Sequence, residues 1–334
     1  HNGDKLYAAV SAFAEKWAEN GLVSRDFVSY INDKDSVSFP WTMIDKITPR
    51  PDPAVKAMLE KDSIADLDPV ITTKNTYVAP FVNAEECQYL IIEDAFPNGK
   101  LPLDQCGIIY TTRETVDKVE KMKVCTCLNP LHTSLAIYGC LLGYTLIAEE
   151  IKNPLLKKMV EVIGYQEGLP VVVNPGILDP KQFIDEVVNK RIPNPFMPDT
   201  PQRIATDTSQ KLPIRFGETI KAYLQNPDLK VESLKIIPLV FAGWLRYLMA
   251  VDDQGNAFAP SADPLLDTVR PFVADFRLGG LPQDLSSLDS LLSDSKIWGV
   301  DLFEAGLADL VKDYFRQLCA GTGAVERTLE KALG

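Results

Sequence analysis

The hydrophobic positions of the chain change rhythm near residue 112. Ahead of it, helical spacing over residues 4–20 gives way to short β-branched and aromatic runs: LVSRDFVSYIND and SVSFPWTMIDKITP within 22–49, TYVAPFV at 76–82, CQYLIIEDAF at 87–96 and CGIIYTT at 106–112. Each predicts a short strand. Pro40, Pro49, Pro51 and Pro53 limit strand length in the first of these regions. AVKAMLEK at 54–61 predicts a short helix, and NGK at 98–100 a turn. Beyond Thr112, placed to cap RETVDKVEKMK, apolar residues recur at helical spacing almost to the end. They predict helices at 130–149, 154–165, 180–190, 200–225, 231–251, 263–276, 284–293 and 300–332, joined by Pro-, Gly-, Asn- and Asp-rich connectors such as VVVNPG and RIPNPFMPD. The architecture read from this pattern is α+β: a small sheet-containing part followed by a large, mainly α-helical part.

One stretch, VEKMKVCTCLNPLHTSLAIYGCLLG at 119–143, sets Lys123, Asn129 and His132 just ahead of a strongly apolar run. Asn129 as N-cap and Pro130 as first helical residue make a start signal for the helix that follows. Two interpretations fit: three polar groups at the wall of a pocket, or a solvated cluster leading into a core helix. Gly139 and Gly143, four residues apart, predict close helix packing.

A chain of 334 residues implies one large or two moderate domains. A net charge of −12 without a concentrated basic patch argues against a nucleic-acid surface. The apolar runs at 135–147 and 236–251 are too short for a membrane span or carry Arg246, so both read as core helices and no membrane partner is expected. Six cysteines without regular spacing predict reduced thiols in a cytoplasmic protein. Cys125 and Cys127 find too few histidines for a zinc site, so no metal is expected. Neither GxGxxG nor GxxxxGK occurs, so the chain lacks the usual dinucleotide or triphosphate cradle. It opens on HNGDKLYAAV, helical from the outset and without an initiating methionine, which predicts a further segment upstream.

VSFPWTMIDKITP at 37–49 resembles the signature of the long-chain mannitol dehydrogenase family, with Ile44 and Lys46 replacing the more usual Val and Arg. It is followed in order by IEDAFPNG (92–99), EKMK (120–123), LNPLH (128–132), RIPNPFMPD (191–199) and RIATDTSQKLPIR (203–215), each similar to a block of that family. The resemblance covers most of the chain. It implies a metal-independent, NAD- or NADP-dependent oxidoreductase acting on a secondary alcohol of a sugar acid or polyol, as in mannitol 2-dehydrogenases, fructuronate reductases and tagaturonate reductases. D-mannonate/D-fructuronate is the preferred pair and D-mannitol the alternative; a non-catalytic helical binding or oligomerisation module is the reading from another class. It also implies that the Rossmann segment lies upstream of His1, with residues 1–118 the remainder of the nucleotide-binding domain and 119–334 the helical substrate domain. This chain alone would then be inactive, and the protein a monomer or weak homo-oligomer.

By the same resemblance Lys123 is the general base, Asn129 and His132 hold the reacting oxygen, and Asp45, Arg203 and Lys211 contact substrate. Glu120 tunes the lysine or lies on its proton path. A lysine can act as base where its surroundings disfavour the ammonium form. Arg203, Asp207 and Lys211, at successive intervals of four, would form one stripe of a continuous helix. The lysine-to-asparagine interval is one residue longer than in the family pattern, which rotates a regular helix by about 100°. A bulge between Val124 and Leu128 is the expected remedy.

Overall fold

The computed structural model describes residues 1–48, 51–86, 88–197 and 199–334. In chain order, α1 (Asn2–Glu19) and α2 (Arg25–Asn32) precede β1 (Thr42–Asp45), α3 (Pro53–Lys61), β2 (Val70–Ile71), β3 (Tyr77–Val78), β4 (Tyr89–Glu93) and β5 (Ile109–Thr111). Then come α4 (Arg113–Lys121), α5 (Asn129–Leu142), α6 (Ile147–Glu150), α7 (Pro154–Glu161), α8 (Pro180–Glu186), α9 (Pro201–Ile204), α10 (Thr208–Leu212), α11 (Glu218–Gln225) and α12 (Ile236–Leu248). The last are α13 (Leu266–Val269), α14 (Asp289–Leu292), α15 (Ser295–Trp298), α16 (Ala308–Leu318) and α17 (Ala324–Leu333). Two compact units result, one of His1–Thr48, Ala84–Lys121 and Val173–Leu178, the other of Pro49–Asn83, Met122–Val172 and Asp179–Gly334.

The first unit holds a three-stranded sheet of order β1-β4-β5, antiparallel at β1 and parallel at β5. Ile91 of β4 and Val116 and Val119 of α4 are fully buried there, with Trp41, Met43, Tyr89 and Ile109 packed around them. The expected strand at LVSRDFVSYIND is instead the helix α2. Phe27, Val28 and Ile31 recur at helical spacing, Val28 is buried, and Phe27 stacks on Trp17 of α1 at 6.5 Å. Cys87, expected to open a strand, lies outside the described residues, as do Pro49, Arg50 and Pro198.

The first three residues of this unit are fixed one by one. The His1 ring stacks on Trp41 at 3.7 Å, and its Nδ1 and Nε2 lie 2.7 and 2.9 Å from carboxylate oxygens of Glu120 and Asp117. Asn2 accepts from the Thr42 backbone N–H at 3.1 Å and donates to the Thr42 hydroxyl. A Cβ on Gly3 would come within 2.4 Å of the Phe39 carbonyl, so the chain can pass there only as glycine.

In the second unit, α5 and α12 are buried along almost their whole lengths. Gly243 lets α12 meet the Tyr138 ring, whose hydroxyl donates to the Leu239 carbonyl at 2.8 Å. Phe216, Phe241, Trp244 and Trp298 form an aromatic cluster beside it, with neighbouring ring centroids 4.8–5.9 Å apart. Arg246, the cation in the apolar 236–251 run, is fully buried and donates to the carbonyls of Val251 and Asp252. Among the described residues no helix is long and apolar enough to cross a membrane.

Several expected helices are broken. The 130–149 helix stops at Leu142, where Gly143 takes a left-handed φ of 80° as C-cap, and α6 is separate. Gly139 has a different reason: a Cβ there would lie 2.4 Å from the Glu150 carboxylate of α6. The 200–225 helix is divided into α9, α10 and α11, because Asp207 adopts φ 55° between the first two. The 300–332 helix is interrupted between α16 and α17, where Gly321 and Gly323 have positive φ.

Candidate active site

Between α4 and α5 the chain makes a wide π-type turn, Met122–Cys127, which carries Lys123. The Leu128 N–H reaches back five residues to the Lys123 carbonyl at 3.1 Å. This is the bulge that the lengthened lysine-to-asparagine interval calls for: it takes up a residue without breaking the chain of backbone hydrogen bonds. A Cβ on Gly168, in the second wide turn Val162–Gly168, would lie 2.8 Å from the Thr126 side chain, so the two turns pack tightly. A third, Pro213–Gly217, also packs on the first and carries Arg215.

Asn129 departs from expectation. Leu128 is the N-cap and Asn129 the first helical residue, and no side chain caps this helix. Its carboxamide is therefore not committed to capping. The Asn129 carbonyl accepts from the Thr133 hydroxyl at 2.8 Å, and that hydroxyl in turn accepts from Nη1 of Arg215.

His132 is half-buried, and its backbone N–H and Nδ1 both face the Leu128 carbonyl, at 3.2 and 3.3 Å. A carbonyl oxygen only accepts, so Nδ1 carries the proton and Nε2 presents a lone pair. Burial pushes the imidazole down to about 4, helped by the cationic Arg191 and Arg215 and opposed by the Leu128 hydrogen bond and Asp199. At neutral pH the ring is uncharged, with an acceptor nitrogen available to a hydroxyl.

The stripe expected of Arg203, Asp207 and Lys211 does not form, since α9 and α10 are separate helices. Arg203 is held by Asp199 through a two-pronged contact, with Nε 2.5 Å from Oδ1, and its side chain is 70% exposed. Its charge is thus already neutralised. Lys211 folds back to donate to the carbonyls of Ile204 and Thr206, at the C-terminal end of α9. Burial, then Arg215, lowers its pKa. Asp207 gives its backbone N–H to Ala262 at 2.8 Å.

Arg215 was not singled out by the sequence reading, although it closes the RIATDTSQKLPIR block. It is half-buried, burial brings its pKa down to about 10, and no carboxylate of the described residues lies within ion-pair distance. Glu218, three residues on, pairs with Lys221 instead, at 2.6 Å. Lys123, Asn129, His132, Lys211, Arg215 and the neutralised Arg203 all belong to the second unit. Asp45 and Glu120 belong to the first unit. Asp45 is buried at the end of β1, and Glu120, expected to tune the lysine, has its carboxylate engaged by His1.

Burial pushes the thiols of Cys127, Cys140 and Cys319 up to about 12, which leaves them protonated and unreactive. Among the described residues no group of three or more His, Cys, Asp or Glu is placed to hold a metal ion. The β5-to-α4 junction does not form a phosphate cradle for a dinucleotide. The direct strand-to-helix junction from β5 into α4 has no glycine, and it places Glu114 in the helix's first turn, where a phosphate would be repelled.

A family model for the mannitol dehydrogenase C-terminal domain matches residues 115–319. The chain is 52% identical over 335 residues to a Thermotoga maritima protein named D-mannonate oxidoreductase, covering 100% of this chain and 62% of that protein. It is 30% identical to the D-mannonate oxidoreductase of Escherichia coli, covering 86% of this chain and 54% of that one. The structure of Pseudomonas fluorescens mannitol 2-dehydrogenase in ternary complex with NAD and D-mannitol shares the fold, with a TM-score of 0.71 at 24% identity over 100% of this chain and 60% of that one. The chain thus spans little more than half the length of these relatives. The family blocks read from the sequence, the shared fold and the matched C-terminal domain together place this chain in the mannitol dehydrogenase family.

Proposed function

We propose that the protein interconverts D-mannonate and D-fructuronate with NAD as the oxidant, in the cytoplasm and without a metal. The observation that carries this reading is the 52% identity, over the whole chain, to a protein named D-mannonate oxidoreductase. NAD is supported by its presence in the mannitol 2-dehydrogenase complex of the same fold; it supplies hydride transfer when bound.

This chain's part is to bind the sugar acid and manage its proton. Lys123, on the wide turn, is the proposed general base for the carbinol hydroxyl, and returns the proton in the reducing direction. Asn129, freed from capping, is the proposed donor to the oxygen as it gains negative charge. Neutral His132 accepts a substrate hydroxyl at Nε2. Asp45 and Glu120 keep their proposed places as hydroxyl acceptor and proton-path residue. Residues 1–118 and 119–334 are proposed as remainder and substrate domain.

The test is NADH oxidation with D-fructuronate, D-fructose and D-tagaturonate. It uses this chain and a form extended by the segment its longer relatives carry. Fructuronate turnover at least tenfold above fructose in the extended form is the expected result. No turnover in either form overturns the enzyme reading, and a preference for fructose moves it to mannitol.

A further inference from the structure

We infer that Arg215 is the specificity-determining anchor for the substrate carboxylate, a residue that separates sugar acids from neutral polyols. The inference rests on the proposed reaction and deepens it. A guanidinium removed from water is costly unless an anion compensates it. The other arginine of this block meets that requirement: Arg203 has Asp199. Among the described residues Arg215 meets only the Thr133 hydroxyl, a neutral acceptor. Half-buried, it is still open to a group arriving from solvent.

Its neighbours sharpen the choice of ligand. Arg215 acts on both His132 and Lys211, depressing the protonation of each, so the three groups share one neighbourhood. His132 is neutral there, and Lys211 has no carboxylate of the described residues within ion-pair distance, its ammonium being spent on two carbonyls. Asp263, whose carboxylate lies in the same region, is taken up by the backbone N–H groups of Ser209 and Leu265 at 2.7 and 2.9 Å and by the Ser209 hydroxyl. What remains is a planar cation with no counter-ion among the described residues. A carboxylate fits it with two parallel N–H···O bonds, whereas a hydroxymethyl group offers one weak acceptor. The Thr133 hydroxyl fixes the guanidinium one residue from His132. A sugar held by its carboxylate at Arg215 would be registered against His132 and the wide turn bearing Lys123.

The test compares Arg215→Met, which keeps the stem and removes the charge, with Arg215→Lys, which keeps the charge and loses the fork. In the catalytically active form, Arg215→Met is expected to lower the fructuronate-to-fructose ratio of kcat/KM by roughly 10- to 100-fold, mainly through KM for fructuronate. Arg215→Lys should recover part of the loss. Independently of turnover, D-mannonate added to the full chain should raise the thermal midpoint of the wild type and not that of Arg215→Met, with D-mannitol as the neutral control. The inference is overturned if the ratio is unchanged, if mannonate and mannitol lose binding equally, or if only KM for NADH rises, which would assign the cation to a cofactor phosphate. Should Arg215→Met fail to fold by circular dichroism, the same ratio in Arg215→Lys and in Thr133→Val, each expected to fall several-fold, decides it. If the wild type turns over neither substrate, the reaction falls while the thermal-shift arm still judges the anchor.

Discussion

The chain has two histidines, and their surroundings are opposite. His1 stands between the carboxylates of Asp117 and Glu120, with Trp41 stacked against its ring. Both carboxylates only accept, so the arrangement is fully satisfied only when both ring nitrogens carry protons. His132 meets a backbone carbonyl and a field of cations, and is held neutral. Around His1, charges find partners inside the first unit: Arg113 has Glu93 at 2.8 Å, and Lys121 has Asp117 at 2.7 Å. Around His132, Arg215 has no carboxylate partner among the described residues. A cluster that satisfies itself holds a fold together; one left open at a definite point is poised for a ligand.

The comparison breaks most decisively if the open cluster proves dispensable. Lys123→Met should lower kcat by roughly 10²- to 10⁴-fold in the active form while leaving the urea midpoint within the range of surface variants. Retained turnover would return Lys123 to the status of a surface lysine and remove the base from the proposed site.

The pH dependence of stability sharpens the contrast next. The His132 pKa lies near 4 when folded against an ordinary 6.5, so the unfolded chain binds the proton more readily. Its contribution is fully present above pH 6.5 and fades as the pH falls through 4, by about 3 kcal/mol in all. In His132→Asn that part of the acid sensitivity should disappear, as urea unfolding at pH 7 and pH 4.5 would show. Equal pH slopes in the two proteins would contradict the neutral ring.

His1→Phe keeps the stacking on Trp41 and removes both donors. It should cost about 1–3 kcal/mol of stability by urea unfolding, since two carboxylates lose their ring-nitrogen partner. A loss confined to turnover, with stability unchanged, would make the His1 cluster part of the site and erase the distinction.

How much of this contrast is legible in the sequence depends on the kind of signal. The buried helices α5 and α12 are evident from their apolar runs, and the wide turn follows from one extra residue between Lys123 and Asn129. By contrast, α2 reads as a strand because Phe27, Val28, Tyr30 and Ile31 favour sheet, and only packing against α1 decides for helix. The stripe from Arg203 to Lys211 presumes that helical spacing continues, yet the left-handed turn at Asp207 is set by tertiary contacts, among them its N–H bond to Ala262. Helical spacing therefore points to Arg203 and passes over Arg215. The clue to Arg215 is electrostatic rather than periodic: its one nearby sequence acid, Glu218, is taken by Lys221, and pairing of that sort is decided only once side chains are placed.

The smallest expected effect is therefore the most discriminating between the two arginines. Arg203 is largely exposed and bound to Asp199 in water, where an ion pair contributes well under about 1 kcal/mol. Arg203→Ala should shift the urea midpoint little and change KM for fructuronate by less than roughly threefold, because removing a cation that already has its anion leaves the local field almost as it was. Steady-state kinetics of Arg203→Ala beside Arg215→Met read the difference directly. A larger KM effect at Arg203 would mean that Asp199 releases it to the substrate, and that the pairing seen between them is the resting state of a carboxylate exchange rather than a finished salt bridge.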